Sequence, residues 1–176
     1  MAQPISDIYE EALIAFQKEN FIEAKALYQK ILKIDHKHFN SNFNLGIIFS
    51  SINEPAESMK YFQTALKYNT DSSQAWALFF NIGNCLLDLK KHKESKEFFQ
   101  KVINLKPDYV WAYINLGISL KELGHLKKSE NIYRKAIEID SNIPMLNNNL
   151  GVLMLNQNRL HEAKIFIEKS IEINPD

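Results

Sequence analysis

The side chains best suited to chemistry in this sequence are five histidines and one cysteine, Cys85. A zinc site needs three or four such ligands close together. His36 and His38 supply only two, with no Cys or third His beside them. Cys85 has no His nearby in sequence, so we expect a buried structural thiol rather than a nucleophile. The histidines all fall in or near predicted turns, where we expect them to be solvated: His36, His38, His92, His125 and His161.

Familiar catalytic signatures are also missing from the sequence. It contains no Gly-rich phosphate loop, no GxSxG motif and no HExxH motif. We therefore predict a protein that is not an enzyme, with no catalytic residue, no metal ligand and no cofactor.

Charge and composition narrow the class of partner. The 176 residues include 21 Lys and Arg and 21 Asp and Glu, so the net charge is zero. A polybasic nucleic-acid-binding arm is therefore excluded as the main theme. The short basic runs 90–93 and 127–128 are expected to be solvated turns, with a weak acidic or RNA partner as the alternative. Five Gly and five Pro disfavour a turn-rich β protein, and a single Cys excludes an internal disulfide framework.

No targeting or membrane-spanning segment is apparent. The first residues lack a basic region followed by an apolar run, because Asp7, Glu10 and Glu11 interrupt them. No stretch approaches the 18 or more apolar residues of a transmembrane helix. A free thiol is typical of a reducing compartment. We expect a cytoplasmic protein that has neither a membrane nor a nucleic acid as its partner.

The sequence contains an internal repeat of about 34 residues. Four series of residues recur in one phase, with steps of 34 residues and one step of 37 caused by three extra residues near 70–76. The series are Gly46, Gly83, Gly117 and Gly151; Ala24, Ser58, Ser95, Ser129 and Ala163; Tyr28, Phe62, Phe99, Tyr133 and Ile167; and Ile31, Ala65, Val102, Ala136 and Ser170.

Within each unit the apolar residues recur at three- and four-residue steps, which predicts a helix, a short turn and a second helix. Small residues stand where the two helices cross closely, and aromatic residues such as Phe62 and Tyr133 fill the wider part of the interface.

This pattern resembles the tetratricopeptide repeat (TPR) family: a Leu-Gly pair, a small residue 12 positions later, then an aromatic and another small residue. The resemblance implies an all-α superhelix of about ten helices that forms a single domain over 1–176. The five repeats are 5–38, 39–72, 73–109, 110–143 and 144–176.

The two terminal repeats differ from each other in how closely they follow the internal repeats. The first has Glu11-Ala12 in place of Leu-Gly, as is expected where the outer face of an array meets water. The last carries internal-type apolar residues at Phe166, Ile171 and Ile173. We expect either a longer natural chain or an uncapped end that packs on another molecule, including a second copy.

In this family the first helices of successive repeats line a concave groove that holds a peptide or a partner helix. Transferred to this sequence, the groove is apolar with a column of asparagines: Tyr9, Phe43, Asn44, Ile47, Phe80, Asn81, Asn84, Trp111, Ile114, Asn115, Ile118, Met145, Asn148, Asn149 and Val152. An Asn side chain has one acceptor and two donors, which suit a peptide backbone. The alternative is a structural column that bonds neighbouring backbone.

Three functions remain open at this point. The first is a protein-binding scaffold that takes an extended or helical, partly apolar segment. The second is the substrate-recruiting part of a longer glycosyl- or sulfotransferase, because a similar Asn ladder occurs in the O-linked N-acetylglucosamine transferase family. The third is self-assembly through the repeat ends. The carboxylate clamp of chaperone-binding repeats is not expected, since no cation stands at the matching positions.

Overall fold

The computed structural model describes residues 3–68 and 74–174, and these form ten α-helices. The predicted all-α class is confirmed. Two helices fall within each predicted repeat window: α1 (Ile5–Gln17), α2 (Phe21–Ile34), α3 (Phe39–Ser51), α4 (Pro55–Tyr68), α5 (Ala75–Asp88), α6 (His92–Leu105), α7 (Val110–Glu122), α8 (Leu126–Ile139), α9 (Pro144–Leu155) and α10 (Leu160–Ile173). None of these described helices combines the length and apolar character needed to cross a bilayer.

The turn inside each repeat has the same backbone geometry five times. One residue, always seven positions after the repeat Gly or its equivalent, adopts a positive φ. Such a left-handed residue ends a helix by turning the chain back on its last carbonyls. Asn20 N–H bonds Ala15 O, and His125 N–H bonds Leu120 O, each at 2.9 Å. The residues with positive φ are Glu19, Asn53, Lys90, Gly124 and Asn158.

The helices group into two compact units, 1–89 and 90–176. In unit 1, α3 and α4 of the second repeat cross at Gly46, which lies against the buried ring of Phe62. The Ser58 hydroxyl donates to the Gly46 carbonyl at 2.7 Å. Small residues at the crossing therefore let the backbones approach, and the aromatic ring fills the remaining space.

Unit 2 repeats this crossing with different side chains. Gly117 lies against the buried ring of Tyr133, and the Ser129 hydroxyl donates to the Gly117 carbonyl at 2.7 Å. A fully buried large side chain stabilises a fold by about 1.5–3 kcal/mol. The spacing of small and aromatic residues therefore determines how the two helices of a repeat pack.

Candidate peptide-binding faces

In unit 1 the predicted groove residues lie on α1, α3 and α5. Tyr9, Phe43, Ile47 and Phe80 are all half-buried. Phe43 stacks on Phe39 with ring centroids 6.0 Å apart. These side chains present apolar surface while part of each ring or chain packs against the unit.

In unit 2 the predicted residues lie on α7 and α9 and differ widely in exposure. Trp111 is 42% exposed and Met145 46%. They occupy the same place in successive repeats, 34 residues apart. Ile118 and Val152 are half-buried. Trp111 and Met145 therefore offer the largest accessible apolar surface among the predicted groove residues of this unit.

One predicted groove residue belongs to the core instead. Ile114 has no exposed surface and packs in the same cluster as Val110, Tyr133 and Leu150. A ligand cannot touch it, so the assignment of Ile114 to the groove surface is corrected. Its side chain lies wholly inside the buried cluster of unit 2.

The asparagine column is not uniform. Asn44 is buried, and its amide donates to the Tyr28 hydroxyl at 2.9 Å. The Asn81 amide donates to the carbonyl of Ala77, one turn earlier, at 2.8 Å. The Asn149 Nδ2 is buried and has no hydrogen-bond partner among the described residues. One donor of the Asn44 amide and one of the Asn81 amide are therefore already engaged within the unit.

The remaining column members lie at intermediate or exposed positions. Asn84 and Asn115 are half-buried, and Asn148 is exposed. Asn147, which is not among the predicted groove residues, is fully buried, and neither its Nδ2 nor its Oδ1 has a partner in the described part of the chain. Its counterpart Asn42, at the same place in the second repeat, donates to the carbonyls of His36 and His38.

Burial also perturbs the tyrosines of unit 1. Desolvation raises the pKa of Tyr28 to about 12, partly offset by the hydrogen bond from Asn44. The pKa of Tyr9 is raised for the same reason. Both phenols stay protonated at neutral pH, and the Tyr28 hydroxyl accepts a hydrogen bond from Asn44 in the core.

The chemically reactive side chains take structural positions. Cys85 is fully buried, and its Sγ lies 3.1 Å from the Ser58 hydroxyl. Burial raises the pKa of this thiol, which opposes formation of a nucleophilic thiolate. His38 caps α3, and its Nδ1 accepts from the Ser41 N–H. Within residues 3–68 and 74–174, no three His, Cys, Asp or Glu side chains group as a metal site.

A groove in unit 2, on the side formed by the second helices, was not predicted from the sequence. It lies between α6 and α8, with a volume of about 960 Å³. None of its lining residues belongs to the predicted peptide-binding set. A comparison of the repeats does contain evidence of this difference. Two aromatic residues of the second repeat, Phe49 and Tyr61, correspond to the aliphatic Leu120 and Ile132 in the fourth.

Solved structures with the same fold cover nearly the whole chain. MamA from Desulfovibrio magneticus RS-1 aligns with a TM-score of 0.90 at 16% identity, covering 99% of this chain and 97% of that one. YrrB, described as a TPR protein with an unusual peptide-binding site, aligns with a TM-score of 0.83 at 21% identity, covering 96% and 86%. PilF from Pseudomonas aeruginosa aligns at 0.77 and 17% identity, covering 97% and 76%. These identities establish the fold alone.

Sequence comparison gives the family directly. No curated protein sequence matches the chain significantly. Models of the tetratricopeptide repeat match residues 39–72, 73–142 and 132–165. Together these matches run from residue 39 to residue 165. The chain belongs to the tetratricopeptide repeat family.

Proposed function

We propose that this protein is a non-catalytic scaffold, a single repeat domain that binds a partly apolar peptide segment of another protein on its first-helix faces. The observation that carries the proposal is the exposure of Trp111 and Met145 at equivalent positions of α7 and α9. Large side chains, above all Trp, contribute most of the affinity at protein interfaces. Family membership and the fold agree with an interaction role.

Hydrogen bonds from the asparagine column are a minor source of affinity in this proposal. Each contributes about 1 kcal/mol net, whereas association costs about 4 kcal/mol or more. Asn44 and Asn81 already donate within unit 1. The apolar contacts of Trp111 and Met145 must therefore supply most of the binding free energy.

Selection of binders from a random-peptide library, followed by titration of the recovered peptides, tests this proposal. Trp111 and Trp76 are the two tryptophans, so a Trp76→Phe background isolates the fluorescence of Trp111. We expect bound peptides to change that fluorescence. Trp111→Glu with Met145→Glu should weaken binding by about tenfold or more, which is about 1.4 kcal/mol.

The matched control is Ile22→Glu, a change at an 87% exposed side chain of α2 in unit 1. It adds a charge at an apolar surface position away from the first-helix faces. Peptides that bind equally well to the Trp111 and Met145 variant would place the binding site elsewhere and contradict the proposal. Circular dichroism of each variant checks that its helices are intact.

Self-association is a second candidate, favoured by a specific observation on α10. Leu160, Ile165 and Ile171 are 61%, 50% and 56% exposed. Large apolar side chains with this exposure on one helix are candidates for burial at an interface. Light scattering over a concentration series tests this candidate. A concentration-dependent mass that Ile165→Glu with Ile171→Glu abolishes would support it, and a strict monomer would contradict it.

A further inference from the structure

The groove between α6 and α8 in unit 2 has an apolar floor. Leu116 and Leu120 of α7 and Ile132 of α8 form this floor. Leu116 and Leu120 are only 2% and 6% exposed. Lys96 and Lys101 of α6 and Lys128 and Lys135 of α8 also line the surface, which we call the α6–α8 groove. It shares no residue with the first-helix faces.

Side-chain size explains why the groove is open. In unit 1 the equivalent space lies between α2 and α4, above α3. There Phe49 and Tyr61 stack with ring centroids 5.3 Å apart and planes inclined by 9°. The Lys25 ammonium lies 4.5 Å from the centroid of the Phe49 ring. Phe49 and Tyr61 correspond to Leu120 and Ile132 in unit 2. Two aromatic rings are thus replaced by two smaller aliphatic side chains.

The rims of the α6–α8 groove carry an excess of positive charge. Four lysines line it, against the carboxylates of Glu97 and Glu138. Lys96, on α6, occupies the position of Lys25. Because Leu120 replaces Phe49, Lys96 has no aromatic ring at the place where Lys25 contacts one. Among the described residues, Lys96, Lys128 and Lys135 form no ion pair. The fourth lysine is Lys101.

The neutral net charge of the chain conceals a segregation of charge. Residues 1–89 contain seven Lys against ten Asp and Glu. Residues 90–176 contain fourteen Lys and Arg against eleven Asp and Glu. Since like charges gathered on one unit attract an oppositely charged partner, the ligand expected at this groove is acidic.

We propose that the α6–α8 groove is a docking site for an acidic helix of another protein. The helix inserts a large apolar side chain above Leu120 and Ile132, where the rings of Phe49 and Tyr61 lie in unit 1. Its carboxylates contact the lysines on the two rims. Both rim helices have 14 residues, a length of about 21 Å at 1.5 Å per residue, which suits a partner helix of similar length.

The lining favours a protein helix over a nucleic acid. Its floor is aliphatic, and none of the lining side chains is Phe, Tyr or Trp. Proteins that bind single-stranded nucleic acid stack the bases on aromatic rings. The single arginine of the groove, Arg134, is already paired with Glu130 at 2.8 Å.

Fluorescence anisotropy with a synthetic probe tests the proposal. The probe is a fluorescein-labelled helical peptide of about 14 residues, matched to the rim helices, with Phe on one face and Glu on both flanks. We expect saturable binding to the full chain that weakens as salt screens the lysines. A peptide with Gln in place of every Glu should bind about tenfold more weakly, a difference of about 1.4 kcal/mol.

Two variants of the groove locate the binding. Leu120→Phe with Ile132→Tyr transfers the aromatic pair of unit 1 and should reduce probe affinity by about tenfold or more. Lys96→Glu with Lys135→Glu should reduce it by a similar factor without altering the floor. Lys169→Glu is the matched control, because Lys169 occupies the position of Lys135 in the next repeat. The control should leave the affinity within about twofold.

Three outcomes would overturn the proposal. The first is no saturable binding to the wild-type chain, and the second is equal binding to the aromatic-filled variant. The third is binding of a fluorescein-labelled single-stranded RNA in place of the peptide, with loss in the lysine variant. Trp111→Glu should leave probe binding unchanged, so failure of this proposal and failure of the first-helix proposal are distinguishable. Melting curves confirm that each variant is folded.

Discussion

The Asn44 amide donates a hydrogen bond to the Tyr28 hydroxyl across 2.9 Å, from the first helix of the second repeat to the second helix of the first. Tyr28 is fully buried and Asn44 nearly so. The bond therefore joins two adjacent repeats within unit 1. It also engages one donor of the first asparagine in the column, so that donor is not free for a ligand.

Replacing Asn44 by Ala should destabilise unit 1. The buried Tyr28 hydroxyl loses its donor, and an unsatisfied buried polar group costs about 1–3 kcal/mol. Denaturant unfolding followed by circular dichroism measures the loss. Tyr28→Phe removes the other partner, and the double variant completes a cycle that isolates the coupling between the two side chains. Purely additive losses would show that the hydrogen bond contributes nothing.

Gly46→Ala should disrupt the helix crossing in the second repeat. A Cβ at Gly46 would overlap the buried Phe62 ring. Overpacking of this kind costs about 1–3 kcal/mol. We expect a lower melting temperature, partly restored by the second change Phe62→Leu.

Gly151→Ala is the comparison for this prediction. There the added Cβ meets the Ile167 side chain, with its Cγ1 at 2.6 Å. Ile167 is only half-buried, so it can move aside more easily than an enclosed ring. The loss should be smaller than for Gly46→Ala. An equal or larger loss at Gly151 would show that confinement of the neighbouring ring is not the cause.

Acid should weaken the link between α8 and α10. Arg159 pairs with Glu130 at 2.8 Å and with Glu162 at 2.6 Å. Hydrogen bonds from Arg159 lower the pKa of Glu130 from its ordinary value of 4.5. Because the folded-state pKa is the lower one, this carboxylate stabilises the fold above about pH 4.5. The contribution is lost as pH falls through the folded-state pKa.

The Glu130→Gln variant should therefore be less stable than the wild type at neutral pH, and the difference should shrink in acid. Melting temperatures measured between about pH 7 and about pH 3 follow the change. Glu138→Gln is the control, because Glu138, on the same helix, forms no ion pair among the described residues. A stability difference that stays constant with pH would contradict a role for the Glu130 charge.

Much of the fold could be predicted because its signal is local and repeated. The 34-residue step pairs Gly46 with Phe62 and Gly117 with Tyr133, and the structure places each pair in contact. Helical periodicity depends on side chains three and four residues apart. Five repeats supply the same pattern five times, so the order of the helices follows from the sequence.

The candidate site was less predictable, since a repeat position indicates a side of a helix and not its exposure. Ile114 and Trp111 both lie on α7, yet Ile114 is completely buried and Trp111 is 42% exposed. Ile114 shares its buried cluster with Tyr133 of α8 and Leu150 of α9. Such burial depends on residues distant along the chain, which no local pattern reports.

The helical class, the order of the helices and the small and aromatic residues at each crossing follow from local periodicity and repeat spacing. Which surfaces stay open depends on contacts between residues that are distant along the chain. The α6–α8 groove is open because Leu120 and Ile132, twelve residues apart on two helices, leave the space that Phe49 and Tyr61 fill in unit 1. Whether residues of two different helices border the same space depends on how those helices pack.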